Sequence, residues 1–219
     1  MLKREARQAV DDGVVEPLAQ RGRPTGDHEA KRAELLRAAT AVIAEEGYVN
    51  ASLRKVAQRA GYTTGAVTYY FANKKELVIA LAESRFDRYD AMLAEVDTNL
   101  EDIKAHIEHW LRLSTGDPGF PPVMSELLAR GRHEPDLGDV IRRRYAHYRD
   151  VYTAILASGQ ERGLIRDDIR ADLLADQLSA MGDGWALLFP LEPERFTPSR
   201  VGELVDAAFA LIAAPPSVA

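Results

Sequence analysis

The sequence has no cysteine, and this absence excludes a disulfide framework and any thiolate metal site. Its five histidines are scattered, and no further ligand clusters with the pair His106 and His109, so no metal site is predicted. No apolar run approaches the roughly 20 residues that cross a membrane, and the polar N-terminus does not resemble a signal peptide. These absences predict a cytoplasmic protein that has no cofactor and no membrane partner.

Positive charge is in short supply overall, but it is concentrated at one end. The chain has 28 Lys and Arg against 34 Asp and Glu, a net charge of −6. Residues 21–78 hold ten Lys or Arg and six Asp or Glu, a net charge of +4, which leaves −10 on the rest. This asymmetry is typical of a protein in which only one part touches phosphate.

Turn signals divide the chain into helical segments, and no stretch of strand length alternates between apolar and polar residues. Residues 1–27 lack a sustained apolar period and are interpreted as a mobile arm. Gly47 ends a first helix that starts at His28, and the remaining helices are predicted at 53–60, 64–71, 74–99, 101–115, 121–133, 136–162, 170–189 and 198–213. The predicted fold class is all-α, with about nine helices.

Residues 52–71 carry the most informative pattern. Ser52 is a candidate N-cap for a short helix that Gly61 stops, and a second short helix follows. Val56 and Val67 can join these helices through a small shared core. The second helix begins with short side chains, as a helix seated deep in the major groove of DNA requires. The pattern favours a helix-turn-helix over an ordinary helical hairpin with a glycine turn.

Together with the preceding helix and residues 73–77, this stretch resembles the DNA-binding domain of the tetracycline-repressor (TetR) family over residues 30–80. The resemblance implies a three-helix DNA-binding domain at 28–75 and a helical ligand-binding and dimerisation domain at 76–219. It implies a dimer that binds a pseudo-palindromic operator. The implied DNA contacts are Ser52, Arg54, Thr63, Thr64, Gly65, Ala66, Thr68, Tyr69, Tyr70 and Lys74, the last two to phosphate.

One residue departs from the family pattern. Thr68 stands where a tyrosine is frequent, two residues before the Tyr70-Phe71 pair. Either a phosphate contact is lost, or the Thr68 methyl group reads a thymine methyl instead.

Arg21 and Arg23 form a second candidate DNA contact. Two arginines separated by one glycine can lie along a narrow A·T-rich minor groove, where the negative potential is strongest. The alternative interpretation is a solvated tail with incidental charge.

The C-terminal body is rich in aromatic residues, and Tyr145, Tyr148 and Tyr152 share one helix face. These residues are candidates either for an effector pocket or for the core. The predicted ligand contacts are Trp110, Met124, Tyr148, Tyr152 and Trp185. Apolar stripes on the last two helices predict either a dimer interface or the monomer's own core, with Leu174, Leu178, Met181, Gly182, Trp185, Val201, Leu204, Val205 and Ala208 as interface candidates.

Enzyme chemistry finds little support in the sequence. It has no glycine-rich phosphate loop and no nucleophile elbow, and Asp167, Asp168 and Asp183 are interpreted as capping and turn residues. The prediction is a ligand-responsive transcriptional repressor that a small apolar effector releases from DNA. A DNA-binding regulator controlled by a protein partner is the open alternative.

Overall fold

A computed structural model describes residues 25–94, 100–116 and 119–214 of the chain. Within these ranges the protein folds into nine α-helices and one 3-10 turn, Pro193–Phe196, and its single β feature there is a bridge between Ile165 and Ala213. The all-α prediction is confirmed. The helices are α1 Thr25–Asn50, α2 Leu53–Ala60, α3 Thr64–Tyr70, α4 Lys74–Ala94, α5 Leu100–Gly116, α6 Phe120–Gly131, α7 Pro135–Glu161, α8 Ala171–Leu188 and α9 Pro198–Ile212.

The ends of the short helices follow their capping chemistry. The Ser52 hydroxyl accepts a hydrogen bond from the Lys55 amide at 3.3 Å, which fixes the start of α2. Gly61 ends α2 in the left-handed region, at φ 72°, where a side chain would be strained. The Thr63 hydroxyl then accepts from the Ala66 amide at 3.2 Å and begins α3. These local bonds set the turn of the helix-turn-helix.

The start of α4 has hydrogen bonds of the capping-box type. The Asn73 side chain accepts from the Glu76 amide at 3.0 Å, and the Glu76 carboxylate accepts from the Ala72 amide at 3.0 Å. These two hydrogen bonds anchor the start of α4 directly after α3. Helix α4, which leads away from the DNA-binding end, therefore has a fixed starting point.

One helix boundary differs from the prediction. Helix α1 begins at Thr25 rather than His28, and Asp27 lies in its first turn, where a negative charge is favourable. At Gly47, where the sequence predicts the end of the first helix, the backbone leaves the helical region at φ 79°, and only a short helical stretch follows to Asn50. The described part of α4 ends at Ala94. Residues 95–99, predicted as its last turns, and most of the predicted arm, with Arg21 and Arg23, lie outside the described residues.

The buried residues form two apolar cores. The first core joins α1–α4 to α6 and the start of α7, so Leu35 and Leu77 share it with Val123, Leu127 and Leu137. The boundary predicted at residues 75 and 76 therefore falls inside a continuous core. A second core joins the end of α4 to α5, α7, α8 and α9. Movement of α6 is consequently felt in the helix-turn-helix, because close-packed cores transmit displacement.

No helix in the described part of the chain is long and apolar enough to cross a membrane. Across the same residues, no group of three or more His, Asp or Glu side chains is arranged to hold a metal ion.

Candidate functional site

The outer face of α3 carries the residues predicted to meet DNA. Val67 is fully buried against α2, so α3 presents its opposite side to solvent. Tyr69 is 73% exposed at the end of that side. The exposed residues are Thr63, Thr64, Gly65, Thr68 and Tyr69, while Ala66 and Tyr70 are half-buried. The structure thus brings the predicted recognition residues together on one convex surface.

The hydroxyl groups of this surface differ in whether they can still donate a hydrogen bond to DNA. The Ser52 and Thr63 oxygens accept from backbone amides, so each keeps its own proton to donate to a phosphate oxygen. The Thr68 hydroxyl instead donates to the Gly65 carbonyl at 3.0 Å. Thr68 therefore has no proton left to donate to DNA, and its methyl group and an oxygen lone pair remain for contact with a base.

An aromatic cluster joins the start of α1 to the end of α3. The His28 ring lies with its centroid 4.6 Å from that of Tyr70 and 5.8 Å from that of Tyr69. Helix α1 consequently begins beside the end of α3. Arg54, on α2, is exposed.

Lys74 occupies a different place from the one its predicted phosphate contact suggests. Its ammonium group donates to the carbonyl of Tyr48, and to that of Val49 at 3.3 Å, and so caps the end of α1. It also lies 4.3 Å from the centroid of the Tyr48 ring. Burial lowers the pKa of Lys74, and Arg130 nearby adds to that effect. Only one of its three N–H donors is left for a phosphate.

Tyr48 links this capped end to the body. Arg130, on α6, lies 4.7 Å from the centroid of the Tyr48 ring. The Tyr48 hydroxyl donates to the Glu134 carboxylate at 2.8 Å. Burial and this hydrogen bond raise the pKa of Tyr48 to about 12. Tyr48, Lys74, Arg130 and Glu134, hereafter the junction, connect α1 and α4 to the α6–α7 turn.

The body encloses a cavity of about 380 Å³, within the size range of sites for drug-sized molecules. All five predicted ligand contacts line this cavity. Sequence reasoning did not predict Phe86, Tyr89, His106 and Asp183 as part of it. The complete lining is Phe86, Tyr89, His106, Ile107, Trp110, Pro121, Met124, Ser125, Leu128, Tyr145, Tyr148, Tyr152, Leu178, Ser179, Met181, Gly182, Asp183, Gly184, Trp185, Ala186, Leu187 and Ala208.

Asp183 is the charged group of the cavity wall. It lies in the middle of α8 and neither caps a helix nor occupies a turn, which corrects the sequence interpretation. Tyr145 donates a hydrogen bond to it at 3.3 Å. The residue has exposed surface because the cavity is open beside it, yet its carboxylate is enclosed enough that burial raises its pKa. In the sequence, Asp183 is the only charged residue between Asp176 and Glu192, and this isolated charge is the feature that could have indicated its role.

His106 adds a neutral polar group. Burial, with a smaller effect from nearby His109, lowers its pKa to about 4, and a hydrogen bond to the Met92 carbonyl opposes this change. Its Nε2 atom has no hydrogen-bond partner among the described residues. Burial also raises the pKa of Tyr148 and Tyr152, whose hydroxyl groups therefore keep their protons as donors.

Most of the candidate dimer contacts lie in the core of their own subunit, which is the other interpretation that the sequence left open for these apolar stripes. Five of them are buried in the core of their own subunit and are closed to a partner: Leu174, Leu178, Val201, Val205 and Ala208. Leu204 is half-buried against that core, and Met181 and Trp185 line the cavity. A Cβ atom on Gly182 would lie 3.2 Å from the Trp110 ring, so Gly182 allows close packing inside the subunit rather than between subunits.

Helices α8 and α9 also carry large apolar residues that are exposed. They are Leu173, Leu187 and Leu188 on α8, Leu191 just after it, and Leu211 on α9. Ala180, Ala207 and Ala210 are small exposed residues on the same two helices. The stripe predictions missed these residues because each helix is apolar on more than one side.

These features define a class of protein. A helix-turn-helix with an exposed recognition face shares its core with a helical body, and that body encloses an aromatic cavity. This is the architecture of a DNA-binding regulator with a ligand cavity.

Comparisons with known proteins identify the family. Residues 35–81 match the family model of bacterial regulatory proteins of the tetR family, and residues 99–214 match that of the C-terminal part of BetI-type transcriptional repressors. The transcriptional regulator PksA of Bacillus subtilis is 26% identical over 201 residues, which cover 82% of this chain and 88% of PksA. The chain belongs to the TetR family and is a DNA-binding transcriptional regulator, not an enzyme.

Solved structures agree with this assignment. A transcriptional regulator from Rhodococcus sp. Rha1 superimposes with a TM-score of 0.71 at 27% identity, covering 83% of this chain and 95% of the other. SmeT, the repressor of a multidrug efflux pump of Stenotrophomonas maltophilia, has a structure in complex with triclosan. That structure superimposes with a TM-score of 0.71 at 26% identity and covers 84% of this chain and 92% of its own.

Proposed function

We propose that this protein is a ligand-responsive repressor that binds a pseudo-palindromic operator as a dimer and is released by a small, largely apolar effector. The observation that carries the proposal is that α4 and α6 both wall the cavity and also hold the DNA-binding end. The triclosan complex of the related SmeT adds support, since a small molecule is bound to that protein.

Helix α4 spans the distance between the two ends. It begins at Lys74, in the junction, and carries Phe86 and Tyr89 into the cavity wall. Twelve to fifteen residues of helix cover roughly 20 Å. A tilt of α4 around a bound effector therefore shifts the helix-turn-helix relative to the body, and with it the separation of two recognition helices in a dimer.

Helix α6 supplies a second, shorter route. Met124, Ser125 and Leu128 face the cavity, and Arg130, less than one turn beyond Leu128, lies on the Tyr48 ring. An effector shifts the equilibrium only if it binds the DNA-incompetent conformation better than the DNA-bound one. The junction is the place where the two conformations would differ.

DNA contacts in this proposal follow the exposed surface of α2 and α3. Thr64 and Tyr69 approach base edges, and Ser52, Arg54 and Tyr70 approach phosphates. Because α1 begins beside Tyr70, Arg21 and Arg23 in the preceding arm would reach the adjacent minor groove. Two half-sites would lie about 34–36 Å apart, or one turn of DNA, on a two-fold symmetric operator.

The exposed leucines of α8 and α9 form the proposed dimer interface, hereafter the leucine face: Leu173, Leu187, Leu188, Leu191 and Leu211. Clustered exposed apolar residues are typical of an association surface, and small residues such as Ala180 and Ala207 allow helices to approach closely.

The test begins with selection of bound sequences from random double-stranded DNA, followed by titration of the protein–operator complex with apolar compounds. Release should occur at the concentrations that quench tryptophan fluorescence, because both tryptophans line the cavity. Trp110→Ala should weaken release while changing the free energy of operator binding by less than about 1 kcal/mol. Failure of every compound to release DNA, with no quenching, would favour control by a protein partner.

A further inference from the structure

The chemistry of the cavity wall is more specific than an apolar pocket requires. Seven aromatic side chains line it, Phe86 and the six tyrosine and tryptophan rings named below, and neighbouring rings are in contact. The ring centroids of Tyr89 and Tyr148 lie 6.5 Å apart, and those of Tyr148 and Tyr152 lie 5.6 Å apart. The wall therefore presents several π faces to a bound molecule, the six tyrosine and tryptophan rings being Tyr89, Trp110, Tyr145, Tyr148, Tyr152 and Trp185.

The charge in this wall has one sign. Among the lining residues Asp183 is the only acid, and none of them is Lys or Arg. Its one hydrogen bond from a side chain in the described part of the chain is the 3.3 Å contact with Tyr145. Asp183 has exposed surface, yet burial still raises its pKa, so the protein keeps a partly desolvated carboxylate without a cation in the wall of an open cavity.

Glycine brings an aromatic face to the same place. Gly182, next to Asp183 in the chain, lies against the Trp110 ring, where even a Cβ atom would be 3.2 Å from the ring carbons. Trp110 can thus pack closely on the turn of α8 that carries the carboxylate. Aromatic faces beside a carboxylate attract organic cations, since the ring quadrupole and the negative charge both act on the ligand.

We propose that the effector is an organic cation, an amine or quaternary ammonium on an apolar body, whose charge lies between Asp183 and the surrounding rings. This proposal rests on the proposed function, in which the cavity takes the effector. An anionic effector would meet the Asp183 carboxylate without a compensating cation. A neutral one would leave that carboxylate uncompensated in the complex.

The test uses two probes of the same shape, one positively charged and one neutral. Benzyltrimethylammonium carries a permanent charge, and neopentylbenzene is its neutral isostere with carbon in place of nitrogen. Titration of the full-length protein, followed by tryptophan fluorescence, should show the cation binding about tenfold more tightly, the scale of a cation–π contact in a desolvated site. Equal affinities, preference for the neutral probe, or no binding of the cation would overturn the proposal.

Variants assign most of the preference to one group. Asp183→Asn should reduce the preference for the charged probe to the smaller part that the aromatic rings alone supply. Asp176→Asn is the matched control, because Asp176 lies on the outer surface of the same helix, 3.8 Å from Arg149, and it should keep the preference. The readout is a ratio of two affinities, so partial loss of folding lowers both and leaves the ratio unchanged. Retention of the full preference in Asp183→Asn would overturn the proposal.

Measurement of operator release distinguishes failure of the organic-cation proposal from failure of the proposed function. Release by neopentylbenzene but not by benzyltrimethylammonium would leave the ligand-responsive repressor standing and overturn the cation. Asp183-dependent binding of the cation without release of DNA would support the ligand class and overturn the proposed response. Release by the cation that Asp183→Asn weakens about tenfold would support both.

Discussion

His106 illustrates how one buried residue makes stability depend on pH. Its ring donates to the Met92 carbonyl, leaves Nε2 without a partner in the described part of the chain, and has a pKa of about 4 instead of 6.5. The unfolded chain therefore binds a proton between these values while the native protein does not. Since the unfolded state then holds more protons, the free energy of unfolding rises with pH from about 4 to 6.5 and is level above.

His106→Asn should remove this dependence. An amide can replace the donor to the Met92 carbonyl but does not titrate, so the variant should lose the component on the order of 3 kcal/mol that the wild type gains between pH 4 and 6.5. Urea unfolding across this range measures it. His109→Asn, an exposed neighbour on the same helix, should keep most of the slope. An unchanged slope in His106→Asn would contradict the prediction.

Thr68 allows a test of base reading with two small changes, one that replaces the hydroxyl by a methyl group and one that removes the methyl group. Its hydroxyl donates to the Gly65 carbonyl, which leaves the methyl group and an oxygen lone pair for DNA. Thr68→Val keeps a methyl and loses the hydroxyl, so it should preserve sequence preference. Thr68→Ser loses the methyl and should weaken discrimination for thymine by about 0.8 kcal/mol. Competition binding with single-base operator variants measures both, and the reverse order would show that the hydroxyl reads the DNA.

At the scale of the helix, the sequence predicts best what neighbouring residues decide. The starts of α2, α3 and α4 depend on Ser52, Thr63 and Asn73, each bonded to an amide three residues ahead, so these starts are readable from the sequence. The faces of α8 and α9 depend on which partner each side meets. Val205 and Leu211 are equally apolar in sequence, yet one is buried and the other exposed. Periodicity cannot assign such sides.

The same distinction explains the cavity. Aromatic spacing indicated Tyr148 and Tyr152, which share α7, but Phe86 and Asp183 join them only through the packing of α4 and α8 on α7. Lys74 likewise caps α1 across 26 positions of sequence. Contacts of this kind depend on tertiary structure, and no local pattern contains them.

The junction is the element through which α6 and α1 should communicate. Tyr48→Phe keeps the ring between Lys74 and Arg130 but removes the hydrogen bond to Glu134. We expect operator affinity and effector affinity to change little when each is measured alone. Their coupling free energy should fall by about 1 kcal/mol, the usual worth of one such bond. Operator affinity measured with and without saturating effector gives this coupling.

Tyr62→Phe is the control for this prediction. In the wild type the Tyr62 hydroxyl donates to Glu34 at 2.8 Å, so this variant, like Tyr48→Phe, loses one hydrogen bond from a tyrosine to a glutamate. Here, however, both partners belong to the DNA-binding end. The coupling should then equal that of the wild type, whatever happens to operator affinity. Equal coupling in Tyr48→Phe would show that α4 alone carries the signal.

For the whole molecule, charge and packing divide the surface into regions with different partners. The stretch 21–78 has a net charge of +4 and the remainder −10. The acidic body is repelled by DNA and the basic end attracted, so the charge distribution orients the molecule on approach. Dimerisation through the body would place two basic ends on the same side, where they can meet successive turns of one duplex.

The leucine face can be tested by introducing charge where a two-fold axis would repeat it. In a symmetric dimer each substitution occurs twice, and a pair of like carboxylates buried at an interface has no compensation. Leu173→Asp and Leu211→Asp should therefore raise the dimer dissociation constant by about 100-fold or more, as a cost of about 3 kcal/mol implies. Operator affinity should fall with dimerisation, since one recognition helix covers too few base pairs for specificity. Val49→Asp changes an even more exposed apolar residue, 72% exposed, outside α8 and α9 and should leave the mass unchanged. Gly182→Ala should also remain dimeric but bind effector more weakly, because Gly182 faces Trp110. Sedimentation equilibrium at micromolar concentration distinguishes these outcomes, and a dimer that survives both aspartates would exclude the leucine face as the interface.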